Sequence, residues 1–198
     1  MSIYYYPISH QTPAVLDKDQ AKKQLKMEDL GTFDDDIIKD CIDAAIAEAQ
    51  NYINSAIFQQ KWRIEFVEFK QSYEPKKQHI NSLDKVSYIL KDGTVVNFTE
   101  SEDIDAFVKL LPVDRYAKKL HFLNQDSLPD LNETLTNALS IEITCGYVMN
   151  TIPRDMLQAI KLLLTDNYNF RSGRPRSESY KESSRVLLEP YKYYTNGK

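Results

Sequence analysis

Five glycines in 198 residues leave little material for phosphate-cradling loops, and no P-loop, G-x-G-x-x-G or G-x-S-x-G pattern occurs. His10, His79 and His121 are the only histidines and have neither HxxxH nor HExxH spacing, so a metal centre would need ligands from distant segments. The two cysteines, Cys41 and Cys145, fall at one helical and one strand position far apart in sequence. They read as small reduced hydrophobes rather than a disulfide framework. No apolar run approaches the roughly 18 residues of a membrane span. The opening MSIYYYPISHQ lacks the basic and apolar regions of a signal peptide, so neither export by that route nor a membrane anchor is expected. Positive charge is also in deficit: 25 Lys and Arg against 29 Asp and Glu give a net charge of −4. A protein whose main task is wrapping nucleic acid needs the opposite balance. No catalytic residue, metal or cofactor is expected.

What is present suits a soluble globular chain, with 42% hydrophobic and 27% charged residues and enough length to bury a core. Thirteen tyrosines are more than a solvated chain needs, and Tyr4, Tyr5, Tyr6, Tyr191, Tyr193 and Tyr194 lie near the two ends. Tyrosine gives a large contact area at low entropic cost, so tyrosine-rich ends point to partners.

The clearest structural signal is IPRDMLQAIKLLLTDNYNFR at 152–171. Pro153 suits a first helical position, and Asp155 complements the positive helix end. Met156, Leu157, Ile160, Leu163, Leu164 and Tyr168 recur at three- and four-residue spacing. Ala159, Leu162 and Phe170 widen that arc, so the helix is central in a bundle or also touches another subunit. Ser172, Gly173 and Pro175 end it.

A second long helix is predicted over 34–57, with a stripe of Ile37, Ile38, Cys41, Ile42, Ala45, Ile46, Ala49, Tyr52 and Ile53. A shorter one over 16–27 has Asp17 as its cap and Ala21 and Leu25 as its weak apolar face. Residues 1–15 read as an extended arm, with disorder the plainer alternative.

From Trp62 the period becomes two. Trp62, Ile64 and Phe66 form one strand, and Val86, Tyr88 and Leu90 pair with 95–98 through a two-residue turn at Asp92 and Gly93. Leu120 and Phe122 mark a short strand, and Leu139, Ile141, Ile143 and Cys145 mark the last. Residues 99–111 are ambiguous, because Thr99 and Glu102 could form a capping box over a short helix. Residues 124–137 read as a polar loop. A final helix over 177–191 is expected to turn Val186, Leu187 and Tyr191 inward.

The expected fold is therefore α+β: a bundle of about four α-helices, two N-terminal and two C-terminal, with a β-rich insertion between the halves. The boundaries are an arm at 1–15, a helical half at 16–61, the insertion at 62–147, a second helical half at 148–190 and a tail at 191–198, together one composite domain.

Asp34, Asp35, Asp36 and Asp40 lack the Gly and terminal Glu of a calcium loop and read as helix N-terminal charge. Arg171, Arg174, Arg176 and Arg185 cluster about the last interhelical turn. They suit phosphate or an acidic partner about as well as they suit a solvated turn with helix-end cations. A helix-turn-helix is disfavoured there, since Pro175 leaves no clear recognition helix.

The order of these features resembles the head-tail connector, or head-completion adaptor, proteins of long-tailed bacteriophages and prophages. The likeness is carried first by Val15, Leu16, Ala21, Lys22, Leu25 and Lys26, the acidic turn at 34–36, then Ile38, Ile42, Ala45, Ala49, Tyr52 and Ile53. Later it is carried by Gly146, Tyr147, Ile152, Pro153, Ala159, Ile160, Tyr168, Asn169 and Arg171, and by the ending Leu188, Glu189, Pro190, Tyr191. The resemblance implies a virion protein without enzymatic activity, made in the host cytoplasm and placed at the head-tail interface. It implies a ring, dodecameric in such families, under the portal vertex. Its partners would be the portal protein and tail-completion, stopper or tail proteins, with genomic DNA passing through without sequence-specific binding. On the same likeness the tail from Glu189 to Lys198, with Tyr191, Lys192, Tyr193 and Tyr194 as its contact residues, is the candidate portal contact. The N-terminal tyrosine arm has no counterpart in that pattern, and the β-rich region is longer than in the barest members.

Two other classes compete. A DNA-binding or DNA-packaging accessory would use the arginine cluster and bind duplex in a salt-sensitive way. A small-ligand module or hydrolase would need a concave pocket with convergent polar groups, for which no motif speaks.

Overall fold

The computed structural model describes residues 3–10, 17–27, 34–66, 71–75, 79–113, 118–123, 135, 138–148, 151–170 and 178–194. In chain order the elements are β1 (Ile3–His10), α1 (Lys18–Leu25), α2 (Asp35–Ile53), β2 (Gln60–Phe66), β3 (Ser72–Tyr73), β4 (Ile80–Ile89) and β5 (Val95–Phe98). There follow α3 (Ser101–Phe107), β6 (Val108–Pro112), β7 (Lys118–Phe122), β8 (Leu139–Cys145), α4 (Arg154–Asn169), α5 (Glu178–Leu188) and a 3-10 turn at Glu189–Tyr191. They form two compact units, one from Met1–Gln11 with Phe58–Gly146 and the other from Thr12–Ile57 with Tyr147–Lys198.

This architecture corrects the expected bundle of about four helices carrying one β-rich insertion. Among the described residues there are five α-helices and eight strands in two antiparallel sheets. The N-terminal arm is the difference of largest consequence. Its residues 3–10 pair antiparallel with β2, from Ile3 opposite Phe66 to His10 opposite Gln60, with an irregularity between Pro7 and Ser9. Proline cannot donate to a ladder, so a strand that contains one belongs at a sheet edge or bulge, and β1 is an edge.

The first unit holds a five-stranded sheet of order β1-β2-β8-β4-β5 and a three-stranded sheet of order β3-β7-β6. Alternation along β2 and β8 buries Ile64, Phe66, Leu139, Ile141, Ile143 and Cys145. Lys61, Arg63, Ser140 and Glu142 take the other face. Two irregularities in β4 set Asn81 and Asp84 out of register with β8. Asp84 then accepts hydrogen bonds from Thr144 and from Ser82 and pairs with Lys61, while Arg63 pairs with Glu142 at 2.9 Å. The β4–β5 connection carries a single positive φ, at Gly93, with Leu90 N–H donating to the Thr94 carbonyl. It is a three-residue loop, not the two-residue turn expected, because Asp92 accepts from Thr94 N–H instead of taking a positive φ itself.

Aromatic rings close the core of this unit. Phe66 meets Tyr73 at 4.4 Å and Phe122 at 6.0 Å, Phe107 meets Phe122 at 5.8 Å, and Tyr88 stacks on Phe107 at 5.8 Å. The ambiguous stretch after Thr99 supplies Phe107 from α3, whose N-cap is Glu100 with no side-chain cap bond.

In the second unit α4 packs against α1, α2 and α5. Its buried face is Met156, Ala159, Ile160, Leu163, Leu164 and Tyr168, and that of α2 is Ile38, Cys41, Ile42, Ala45, Ile46, Ala49 and Ile53. The Tyr168 hydroxyl donates to Asp34 at the start of α2. Asp35 pairs with Lys18 at 3.0 Å and Lys22 at 2.6 Å from α1, and the hydrogen bond from Lys22, then that from Lys18, holds its carboxyl below the usual carboxylate range. Helix α1 starts on Asp17, which accepts from Gln20 N–H at 2.6 Å. Helix α2 ends at Ile53, short of the expected 57, because Asn54 takes a left-handed φ of 53°.

Candidate docking site at the C-terminal segment

The residues expected to dock a partner are held by the end of α2. Its last turn presents Tyr52, and its left-handed cap Asn54 turns the chain. The backbone N–H of Tyr193 donates to the Ile53 carbonyl at 2.8 Å, and Asn54 Nδ2 donates to the Tyr193 carbonyl at 3.2 Å. Tyr193 is 5% exposed and therefore core, whereas Tyr194 is 61% exposed. Tyr191 and Lys192 are half-buried.

Glu189, in the 3-10 turn, joins these pieces. Its two carboxylate oxygens accept from the hydroxyls of Tyr52 and Tyr194. Lys192 Nζ lies 4.4 Å from the centre of the Tyr52 ring and 5.2 Å from that of Tyr194, and the Arg185 guanidinium lies 5.7 Å from Tyr52. The bond to Glu189, helped by burial, pushes the Tyr52 phenol up to about 12. The Glu189 carboxyl is held below its ordinary value by Tyr194 first and Tyr52 second. The result is a prearranged, partly exposed surface of aromatic rings, one carboxylate and two cations. Beside it, Glu48, Asn51, Tyr52, Lys181, Ser184 and Arg185 rim a groove of about 280 Å³ floored by Leu163 and Leu188. Such a surface suits recognition of a protein segment; it offers no nucleophile and base pair.

Of the four predicted contact residues, the structure brings Lys192 and Tyr194 together around Tyr52, leaves Tyr191 at their edge and assigns Tyr193 to the interior. Glu189 belongs to the expected tail contact, whereas Tyr52 and Asn54 were missing from the predicted site, since nothing local links Tyr52 to Glu189, 137 residues apart. Arg171, Arg174 and Arg176 lie outside the described residues. Val186, expected inward, is 72% exposed, and Ser184 and Leu188 take the buried face of α5 instead. Ser72 and His121 hydrogen-bond at 2.9 Å across β3 and β7. A second, open groove of about 400 Å³ runs beside Asn81, Ser82, Ser101, Asp105 and Lys109. Among the described residues no group of His, Cys, Asp and Glu could hold a metal, and no helix is long and apolar enough to cross a membrane.

Fold and site together define an α+β chain whose C-terminal segment presents a prearranged aromatic and charged surface. No protein-family model and no curated protein matches its sequence. Solved structures do share its fold. A chain in the neck of an empty GTA particle, computed with C6 symmetry, is similar with a TM-score of 0.76 and 15% identity over 98% of each chain. A chain in the virion of a native gene transfer agent (GTA) particle is similar with a TM-score of 0.75 and 17% identity, again over 98% of each. One in the neck of a native GTA particle, computed with C12 symmetry, has a TM-score of 0.72 and 14% identity over the same share. At these identities the likeness establishes the fold.

Proposed function

We propose that this chain is a structural neck protein of a phage-like particle: a head-tail connector that assembles as a ring under the portal vertex and extends the DNA channel toward the tail. One observation carries the reading, the fold likeness over 98% of both chains to a protein in the neck of a GTA particle. The symmetries of those necks, C6 and C12, support a ring of identical chains, and twelve copies are consistent with both. The portal protein is the partner on one side, and a stopper, tail-completion or tail protein on the other. A net charge of −4 supports a channel through which DNA slides without being gripped. In this reading Tyr191, Lys192 and Tyr194 meet the portal, and the bonds that hold them on α2 reduce the ordering cost of docking.

Electron microscopy of the purified chain mixed with its cognate portal tests the reading. A symmetric ring of added density on the portal's outer end is expected. A bare portal in the presence of folded protein would remove the proposal.

A further inference from the structure

The outer face of the three-stranded sheet carries cations that have no carboxylate partner among the described residues. Lys109 of β6 stands opposite His121 of β7, Leu111 opposite Lys119, and Ser72 of β3 opposite His121. Alternation turns the partners of these residues, Val108, Leu120, Phe122 and Tyr73, into the core, so the five share the outer side. Lys109 and Ser72 are exposed, and Lys119, His121 and Leu111 are half-buried. Among the described residues no carboxylate pairs with Lys109 or Lys119, although Asp105 shares a groove with Lys109. On the five-stranded sheet, by contrast, Lys61 and Arg63 are both matched by carboxylates.

The outward face of α2 is complementary. Asp36, Asp40 and Asp43 are exposed along one line of that helix, Lys39 stands beside them and Lys18 of α1 acts on Asp36, and Ile37 and Ala44 are exposed next to the line. None of the three carboxylates forms an ion pair within the described chain, whereas Asp35, one residue earlier, has two. Spacing agrees as well as sign. Four helical residues separate Asp36 from Asp40, about 6 Å at 1.5 Å per residue. Lys109 and Lys119 are diagonal neighbours across a strand pair, about 7–8 Å apart at the backbone. Two carboxylates can therefore meet two ammonium groups at once while Leu111 covers Ile37 or Ala44.

We infer that the outer face of the three-stranded sheet is a docking surface for a second copy of this chain, which presents the acidic face of α2 to it. The contact is heterologous: each copy offers a sheet face to one neighbour and a helix face to the other, the arrangement that closes into rings. The inference deepens the proposed function and rests on its ring.

Charge reversal tests it on the full chain. Lys109→Glu with Lys119→Glu makes one variant, and Asp36→Lys with Asp40→Lys the other; Lys109, Asp36 and Asp40 are exposed and Lys119 half-buried, and circular dichroism with thermal melting checks that each variant keeps the fold. Sedimentation velocity over a concentration series at low salt should find the wild type self-associating, and each variant alone weakened by about tenfold or more. An equal mixture should recover assembly, because the acidic sheet of one variant meets the basic helix of the other and vice versa. Variants that associate like the wild type, or a mixture that stays apart, would overturn the contact. If the lysine variant instead loses duplex DNA binding and the mixture does not assemble, the face reads phosphate and the inference is overturned. If the wild type stays monomeric in free solution, the same comparison is read as ring occupancy on the portal, with the same criteria. Portal rings formed by each variant alone would sink the contact and leave the neck function standing. A bare portal alongside recovered assembly in the mixture would do the reverse, and a chain that neither self-associates nor decorates the portal overturns both.

Discussion

Gly146 and Gly93 both adopt a left-handed φ, +95° and +86°, yet their surroundings differ. A Cβ on Gly146 would lie 2.1 Å from the Phe58 carbonyl oxygen, and its N–H is already bound to the His79 carbonyl at 2.9 Å, so the backbone cannot give way. A Cβ on Gly93 meets nothing within 4 Å. Gly93→Ala should therefore cost only the conformational term, about 1 kcal/mol, and Gly146→Ala roughly 3 kcal/mol or more, read by urea unfolding of the two variants. Equal losses would mean that the close approach to Phe58 is not maintained. The Tyr52–Glu189 pair makes a pH-dependent contribution of defined sign. Tyr52 is raised in the folded chain from 10.0 to about 12, so its contribution is complete below pH 10 and fades as pH climbs toward 12. Glu189 is lowered from 4.5, so its contribution is complete above that value and fades as pH falls below it. Ring-labelled tyrosine spectra should place the Tyr52 titration well above 10, and Glu189→Gln should bring it down. A Tyr52 that titrates near 10 in the unmodified chain would show the pair to be broken in solution.

Among the elements, the C-terminal segment behaves as part of the helical unit, tied to α2 by backbone bonds at Ile53 and Asn54. Tyr193→Ala removes a side chain 5% exposed and should destabilise the chain by about 3 kcal/mol, while Tyr194→Ala, at 61% exposure, should stay within about 0.5 kcal/mol. Thermal unfolding separates the two, and similar losses would mean that the segment docks differently. Only Tyr191, Lys192 and Tyr194 are therefore clean probes of the proposed portal contact. The same contrast explains what was legible in the sequence. The stripes of α2 and α4 and the alternation of β2 and β8 are local periods set by one buried face, and they are found where the spacing predicts, except that Ile37, counted in the stripe of α2, is exposed. Pairing is not local. The strand formed by Tyr4, Tyr5 and Tyr6 depends on an edge of β2 more than fifty residues away, and Pro7 masks its alternation. In α5 the apolar Val186 attracts an inward reading, but Ser184 satisfies its hydroxyl on the Lys181 carbonyl and can be buried in its place. The docking surface was legible only as a tyrosine-rich ending, because Tyr52 and Glu189 are joined by the fold and by no motif.

For the whole molecule, the sign and placement of charge decide between a channel protein and a DNA-binding one. A net charge of −4 leaves little to displace counterions from a duplex, and on the three-stranded sheet Lys109 and Lys119 have no carboxylate partner among the described residues. Two phosphate contacts give a log–log salt slope of only about −2, against about −10 for a dedicated DNA-binding repressor. The free chain should therefore hold non-specific duplex DNA more weakly than about 10⁻⁴ M at physiological salt, with no band retained in a mobility-shift titration. In the proposed ring, a lumen built from such chains would let DNA pass, because each phosphate would meet too few cations to be held. In a ring closed through the three-stranded sheet, Lys109 and Lys119 would be covered by the neighbouring copy and lost even to that weak binding. Tight retardation with a steep salt slope would shift weight to a packaging accessory. Its dependence on Arg174 and Arg176 would then locate the contact at those residues.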